Sequence, residues 1–156
     1  MVAQTLSIKA RALRHLARRE HSRAELERKL AAAMRHGDEV PDLDEQIRRA
    51  LDELAARGLL SDERAAESLL ASQGRRFGSR RLKQSLLAKG LAPDLVAATV
   101  QQSRSTEAER ARELWKRRFG AVPVDAAQRL RQMRFLAGRG FDADIIRRLV
   151  KDEEEG

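Results

Sequence analysis

Apolar residues recur every three or four positions in segment after segment of this chain, and short polar or glycine-containing breaks separate the segments. That period is helical. Ala10, Leu13, Leu16 and Ala17 predict a first helix from about Ser7 to Arg19. Ser22-Arg23-Ala24-Glu25 has the form of a capping box and opens a second helix on Leu26, Leu30 and Ala33, closed at Gly37. Asp42 opens a third on Leu43, Ile47, Leu51 and Leu54, closed by Gly58. Three more follow at about Asp62 to Ser72, Ser79 to Lys89 and Pro93 to Ser103, the last with proline where a missing N–H costs nothing. Thr106-Glu107-Ala108-Glu109 reads as another capping box and predicts a separate helix to Phe119, with Ala111, Leu114 and Trp115 on one side. Asp125 starts the next, through Leu130, Met133 and Leu136. Asp142 starts the last, through Ile145, Ile146 and Leu149. The acidic tail 152–156 is expected to be frayed and solvated.

The helices repeat in groups of three. Gly90 and Gly140 stand 50 positions apart, each after one amphipathic run and before another. The same offset pairs Leu86 with Leu136, Leu95 with Ile145, Val96 with Ile146 and Val100 with Val150. Leu91 with Val96, and Phe141 with Ile146, have the spacing of a hydrophobic staple. Leu26 and Leu30 stand where Leu82 and Leu86 stand, at an offset of 56. The expected fold is therefore all-α: three tandem three-helix repeats, at 1–58, 59–104 and 105–151, in an elongated, curved array, followed by the acidic tail 152–156.

Charge singles out the middle of the chain. Over its 156 residues the formal net charge is +8, which suits an anionic partner. From Asp38 to Glu63 nine acids face only Arg48, Arg49 and Arg57. From Gln73 to Gly90 the balance inverts, with Arg75, Arg76, Arg80, Arg81, Lys83 and Lys89 and no acid. Arg134 and Arg139, with Arg147 and Arg148, add basic residues in the last third. Pairing of the central arginines with the acidic helix around Asp52 and Glu53 is the structural alternative to a contact surface.

Little else carries chemistry. With no cysteine there are no disulfides and no thiolate metal sites. His15, His21 and His36 lack the spacing of a helical metal site and read as surface or capping residues. No phosphate-loop, dinucleotide or nucleophile-elbow pattern occurs. No catalytic, cofactor or metal residues are expected, and the chain reads as a non-enzyme. The absence of a signal-length or membrane-length apolar run predicts a soluble, cytoplasmic protein that makes no membrane contact. Three-helix units resemble helix-turn-helix modules, but asparagine is absent and the glutamines form no ordered face, which argues against base-specific readout. Phe77 and Trp115 read as packing residues rather than stacking platforms for bases.

Four ordered motifs resemble the RecX family, regulators of the bacterial RecA recombinase. Ala17-Arg18-Arg19-Glu20-His21-Ser22-Arg23-Ala24-Glu25-Leu26, continued by Lys29-Leu30, is similar to the family's first signature. Gly58-Leu59-Leu60-Ser61-Asp62-Glu63-Arg64-Ala65-Ala66 is similar to the second. Gly78 to Leu82 with Lys89-Gly90-Leu91 is similar to the third, and Phe135-Leu136-Ala137-Gly138-Arg139-Gly140-Phe141 to the fourth. The resemblance runs from about Ala12 to Val150. It departs at Ala65, where the family usually has phenylalanine, and at Gly138, where a basic residue is common. It implies a non-catalytic protein of three three-helix repeats that binds the RecA–DNA filament and inhibits ATP hydrolysis, strand exchange and co-protease activity. Arg75, Arg76, Arg80, Arg81, Lys83, Lys89, Arg134 and Arg139 are then the candidate residues for RecA or DNA contact. Direct DNA contact would be non-specific, and a monomer is favoured. A general nucleic-acid-binding helical protein is the alternative reading.

Overall fold

A computed structural model describes residues 7–35 and 40–151. The helix end expected at Gly37, His36 and the tail 152–156 lie outside the described residues. The described residues form eight helices and no strand. These are α1 (Ile8–Arg18), α2 (Arg23–Met34), α3 (Leu43–Ala56), α4 (Asp62–Gln73), α5 (Ser79–Ala88), α6 (Pro93–Arg118), α7 (Ala126–Gly138) and α8 (Ala143–Lys151). They fall into two compact units. One holds the residues up to 68 with 89–91, and the other holds 69–88 with the residues from 92 onward.

In the first unit α1, α2 and α3 pack on one another around Ile8, Ala12, Leu26, Leu30, Ile47, Leu51, Leu54 and Leu60. The buried face of α1 is set by Ile8 and Ala12, with Leu16 packed beside them, whereas Leu13 and Ala17 are exposed. The expected stripe was thus turned by about one residue, because Ile8 begins it. Ser22 forms the expected capping box: its Oγ accepts from the Glu25 amide at 3.1 Å, and Glu25 Oε1 accepts from the Ser22 amide at 3.4 Å. Asp42 does precede α3, but it lies in the left-handed region at φ 52 and its side chain makes no capping bond. Asp44 and Glu45 instead place acid in the first turn, where the helix dipole favours it.

Glu25 is the polar centre of this unit. Its carboxylate accepts from Arg19 and from Lys89 Nζ at 3.2 Å, while Ser22 Oγ donates to the Lys89 carbonyl at 2.5 Å. Burial alone would raise its pKa, but the bonds from Arg19 and Lys89 outweigh burial and hold it down at about 2. His21, expected at the surface, is buried beside it. Its Nδ1 donates to the Arg19 carbonyl at 3.0 Å, so Nε2 accepts from Lys29 at 3.2 Å. Burial keeps this imidazole below its ordinary value.

The second unit is built on α6. The sequence predicts two helices here, broken near Thr106, and the structure shows one of 26 residues. Its buried stripe is Val96, Thr99, Val100, Ser103, Glu107, Ala111 and Trp115, which never loses helical phase. Polar Ser103 and Glu107 occupy core positions in the middle of the stripe, and they made the apolar pattern look interrupted. Thr106 caps nothing; its hydroxyl donates to the Ser103 carbonyl and accepts from Arg110 Nε. α5 and α8 pack along α6, and α7 packs on α8. Trp115, Leu136, Phe141, Ile146, Leu149 and Val150 form the core at one end. Trp115 Nε1 donates to Gln132 Oε1 at 2.8 Å.

Burial follows the offset of 50. Leu86 and Leu136 are fully buried, Val96 and Ile146 are buried, Val100 and Val150 are buried, and Leu95 and Ile145 are both half-buried. Ala65 is buried in the first unit, so a small residue fills its place there. A side chain at Gly138 would meet only open space.

Two residues one turn apart on α6 fix the segment between α4 and α5. Glu107 is 1% exposed and accepts from the Ser79 amide at 3.1 Å, the Ser79 hydroxyl at 2.7 Å and the Asp142 amide at 3.1 Å. It thereby meets the N-termini of α5 and α8 together and satisfies one backbone donor at each. Arg110 donates to the carbonyls of Gly74 and Phe77, the latter at 2.7 Å, and to Ser103. Burial lowers the pKa of this guanidinium, opposed by the nearby Glu107 charge. The turn 74–79 is thus held by its carbonyls at one end and its amide at the other.

Two measurements test these polar centres. Glu25 titrates lower in the folded state than its ordinary 4.5, so its contribution is complete above pH 4.5 and is lost as pH falls toward about 2. The melting temperature should fall through that window, and Glu25→Gln should be less stable at pH 7 with a flatter acid limb; an unchanged limb would refute the assignment. Glu107→Ala should destabilise by about 3 kcal/mol, having left three donors unpaired, against about 1 kcal/mol for Ser79→Ala. Equal thermal or denaturant midpoints for these two variants would remove Glu107 from its central role.

Candidate functional site

The basic residues expected to act together are assembled by two adjoining turns of the second unit. The Gly78 amide donates to the Arg139 carbonyl at 2.8 Å, and the Arg80 amide to the Gly140 carbonyl at 3.1 Å. Contact this close requires glycine on both sides. A Cβ on Gly78 would lie 2.5 Å from the Gly140 oxygen and from Phe141 Cα. Gly140 has φ +83, and a Cβ there would strike Arg81 at 2.5 Å. The register brings Arg139, just after α7, beside Arg80 and Arg81 in the first turn of α5.

Aromatic rings then order the guanidinium groups. Arg81 lies 3.8 Å over the Phe77 ring. Arg139 sits 5.7 Å from Phe77 and 5.2 Å from Phe135, and Arg118 sits 5.4 Å from Phe135. Phe119 meets Phe135 edge-on at 5.4 Å. The result is an alternation of planar cations and rings, within the range of cation–π attraction. Phe77 is a half-buried support for cations as well as a packing residue.

Charge is left unneutralised here. Arg75, Arg76, Arg80, Arg81, Lys83, Arg134 and Arg139 make no ion pair among the described residues. The alternative pairing with the acidic helix is not found: Asp52 is bound by Arg23, and Glu53 by Lys9 and Arg57. The first turn of α5 itself contains no acid, and the Glu107 carboxylate that meets its N-terminus is buried beneath it at Ser79, so Arg80, Arg81 and Lys83 have no acid beside them in the turn. These three, with Arg104, line a hollow of about 550 Å³ that reaches Gly138 and Gly140. A second hollow of about 750 Å³ lies among Arg75, Arg76, Arg139, Arg117 and Arg118.

Not every expected residue joins this surface. Lys89 belongs to the first unit, where it pairs with Glu25. Arg134 is exposed on α7 and lines neither hollow. Arg147 pairs with Asp144 one turn away. Arg104, Arg117 and Arg118 were missed by sequence reasoning. A signal for the last two exists: Arg117-Arg118-Phe119-Gly120 repeats Arg75-Arg76-Phe77-Gly78. Among the described residues no group of acids and histidines could hold a metal ion, and no helix is long and apolar enough to cross a membrane.

This arrangement is equipped to hold anions and flat rings. Residues 61–100 match the model of the RecX second three-helix domain, and 105–150 that of the third. The regulatory protein RecX of Leptothrix cholodnii is 48% identical over 94% of this chain and 88% of its own length. That of Chromobacterium violaceum is 43% identical over 96% and 93%. The crystal structure of RecX from Lactobacillus salivarius superposes with a TM-score of 0.73 at 20% identity, covering 96% of each chain. The all-helical repeat fold and the sequence agreement along nearly the whole length lead to one conclusion: the chain belongs to the RecX family of regulatory proteins.

Proposed function

We propose that this chain binds the RecA–DNA filament through the basic surface of its second unit and inhibits RecA's ATPase, strand-exchange and co-protease activities. It acts in the cytoplasm as a binding protein and catalyses no reaction. Family membership supports a regulatory role. The observation that carries the surface assignment is the cluster of unpaired cations on turn 74–81 and Arg139, held by the buried Glu107 and Arg110. Such cations neutralise phosphates or take carboxylates bidentately, and a filament presents both. The bonds to Glu107 and Arg110 hold the backbone of the turn, so the ordering left for the moment of binding is that of the side chains.

A second reading, general nucleic-acid binding without RecA, is favoured by the ring–guanidinium alternation at Phe77, Arg139 and Phe135, which can stack unpaired bases.

One variant tests the surface and separates the readings. Arg76, Arg80 and Lys83 are exposed and unpaired, so replacing all three by Ala should leave the thermal melt within about 0.5 kcal/mol of the parent. Inhibition of RecA's DNA-dependent ATPase should weaken at least about tenfold, as for the loss of charged hydrogen bonds. Full inhibition by the folded triple variant would rule the surface out. Equal losses on bare DNA and on the filament would favour the second reading.

Binding to bare DNA should fall steeply with salt and vary little with sequence, because phosphate contacts release counterions and read no bases. Affinity unchanged between about 50 and 200 mM salt would contradict phosphate contact.

A further inference from the structure

The twin Arg-Arg-Phe-Gly segments at 75–78 and 117–120 converge on one cavity. The first follows α4 and the second closes α6, yet Arg75, Arg76, Arg117 and Arg118 all line the same hollow of about 750 Å³. Arg139 brings the guanidinium groups to five, and no carboxylate lines the space. The rest of the lining is Leu114 and the ring of Phe135. Phe119, from the second segment, braces that ring edge-on, and Arg118 and Arg139 flank it. The wall is therefore apolar and flat on one side and densely cationic around it.

We propose that this cavity is a binding site for a nucleoside triphosphate, with its phosphates among the arginines and its base against Phe135 and Leu114. The hollow is open to solvent on one side and wide enough for a small charged ligand laid against its wall. Charge favours it as well. A triphosphate concentrates its charge on one short chain, matching five cations around one space, whereas a single strand offers only a single charge per nucleotide. The flat wall discriminates, because bases stack on aromatic rings and guanidinium planes and inorganic anions do not. The site stands independently of filament binding. It shares Arg75, Arg76 and Arg139 with that surface, whereas Leu114, Arg117, Arg118 and Phe135 belong to the cavity alone, so an occupied site withdraws three cations from the shared surface.

Calorimetric titration of the full chain with ATP, with inorganic triphosphate and with a short oligothymidine tests the proposal. ATP should bind one to one, at least about tenfold more tightly than inorganic triphosphate. Arg117→Ala with Arg118→Ala, both exposed positions, should weaken both ligands at least about tenfold and leave the melt unchanged. Phe135→Leu should bring ATP down to the affinity of triphosphate, and Arg80→Ala with Lys83→Ala should change neither. Equal binding of ATP and triphosphate in the parent would reduce the site to an unspecific polyanion cluster and overturn the proposal. So would ATP binding indifferent to the Arg117/Arg118 pair, or oligothymidine binding through that pair with no binding of ATP. If the Arg117/Arg118 variant still inhibits RecA while losing ATP, the two functions are separate. Loss of inhibition by the Arg80/Lys83 pair, neither of which lines the cavity, bears on the filament surface alone.

Discussion

The buried carboxylate of Glu107 is the interaction on which the second unit depends. One side chain takes a backbone donor from the start of each of two helices, α5 at Ser79 and α8 at Asp142. An ionised group is costly to bury, and three donors offset that cost only while all three stay in place. The geometry is therefore all or nothing: α5, α8 and α6 adopt their mutual positions together. Arg110, one turn along, extends the constraint to the carbonyls of Gly74 and Phe77. A loop of arginines that would otherwise repel one another is held by contacts below them, none of which uses their charge.

Comparison of equivalent positions in the two units shows why the basic residues beside one helix start are neutralised and those beside the other are not. Ser22 and Gly78 each precede a helix and donate to the carbonyl before a left-handed glycine, Lys89 before Gly90 and Arg139 before Gly140. Three positions further on, the first unit has Glu25 and the second has Arg81. In the first unit the carboxylate is at hand to neutralise Arg19 and Lys89. In the second the carboxylate comes from α6 and faces inward, and the helix start carries cations with nothing to pair them. The same contact thus yields a self-satisfied knot in one unit and an electrostatically unfinished face in the other. That difference is one of residue placement: the carbonyl before the glycine accepts a bond in both units, from the Ser22 hydroxyl in one and from the Gly78 amide in the other.

Periodicity made the helices and the offset of 50 legible, because apolar burial alone sets both: Leu86 and Leu136, or Val96 and Ile146, have the same fate. The basic stretch was legible too, since it is continuous in sequence. The continuity of α6 was hidden, because Ser103 and Glu107 are polar residues in core positions and a hydropathy pattern counts them as surface. Lys89 was misleading for a related reason: its neutralising acid is 64 positions away, so the local sequence shows an unpaired charge where the fold has an ion pair. Arg117 and Arg118 lay in a mixed-charge segment and drew no attention, although their motif duplicates that of Arg75 and Arg76.

What the sequence could not display is how cations come to share a surface without disrupting it. Five guanidinium groups around one hollow would repel, and exposed charges are screened only beyond about 10 Å at moderate salt. Two features offset this. The rings of Phe77 and Phe135 each attract two of the planar cations, and Phe119 fixes the orientation of one ring. Arg110, the cation nearest the core, spends its donors on carbonyls rather than facing the cluster. The remaining repulsion is relieved when an anion enters, so the same charge density that costs the free protein some stability favours the bound state. A carboxylate at Arg81 or Arg139 would relieve the folded chain of that repulsion and would remove the positive field with it.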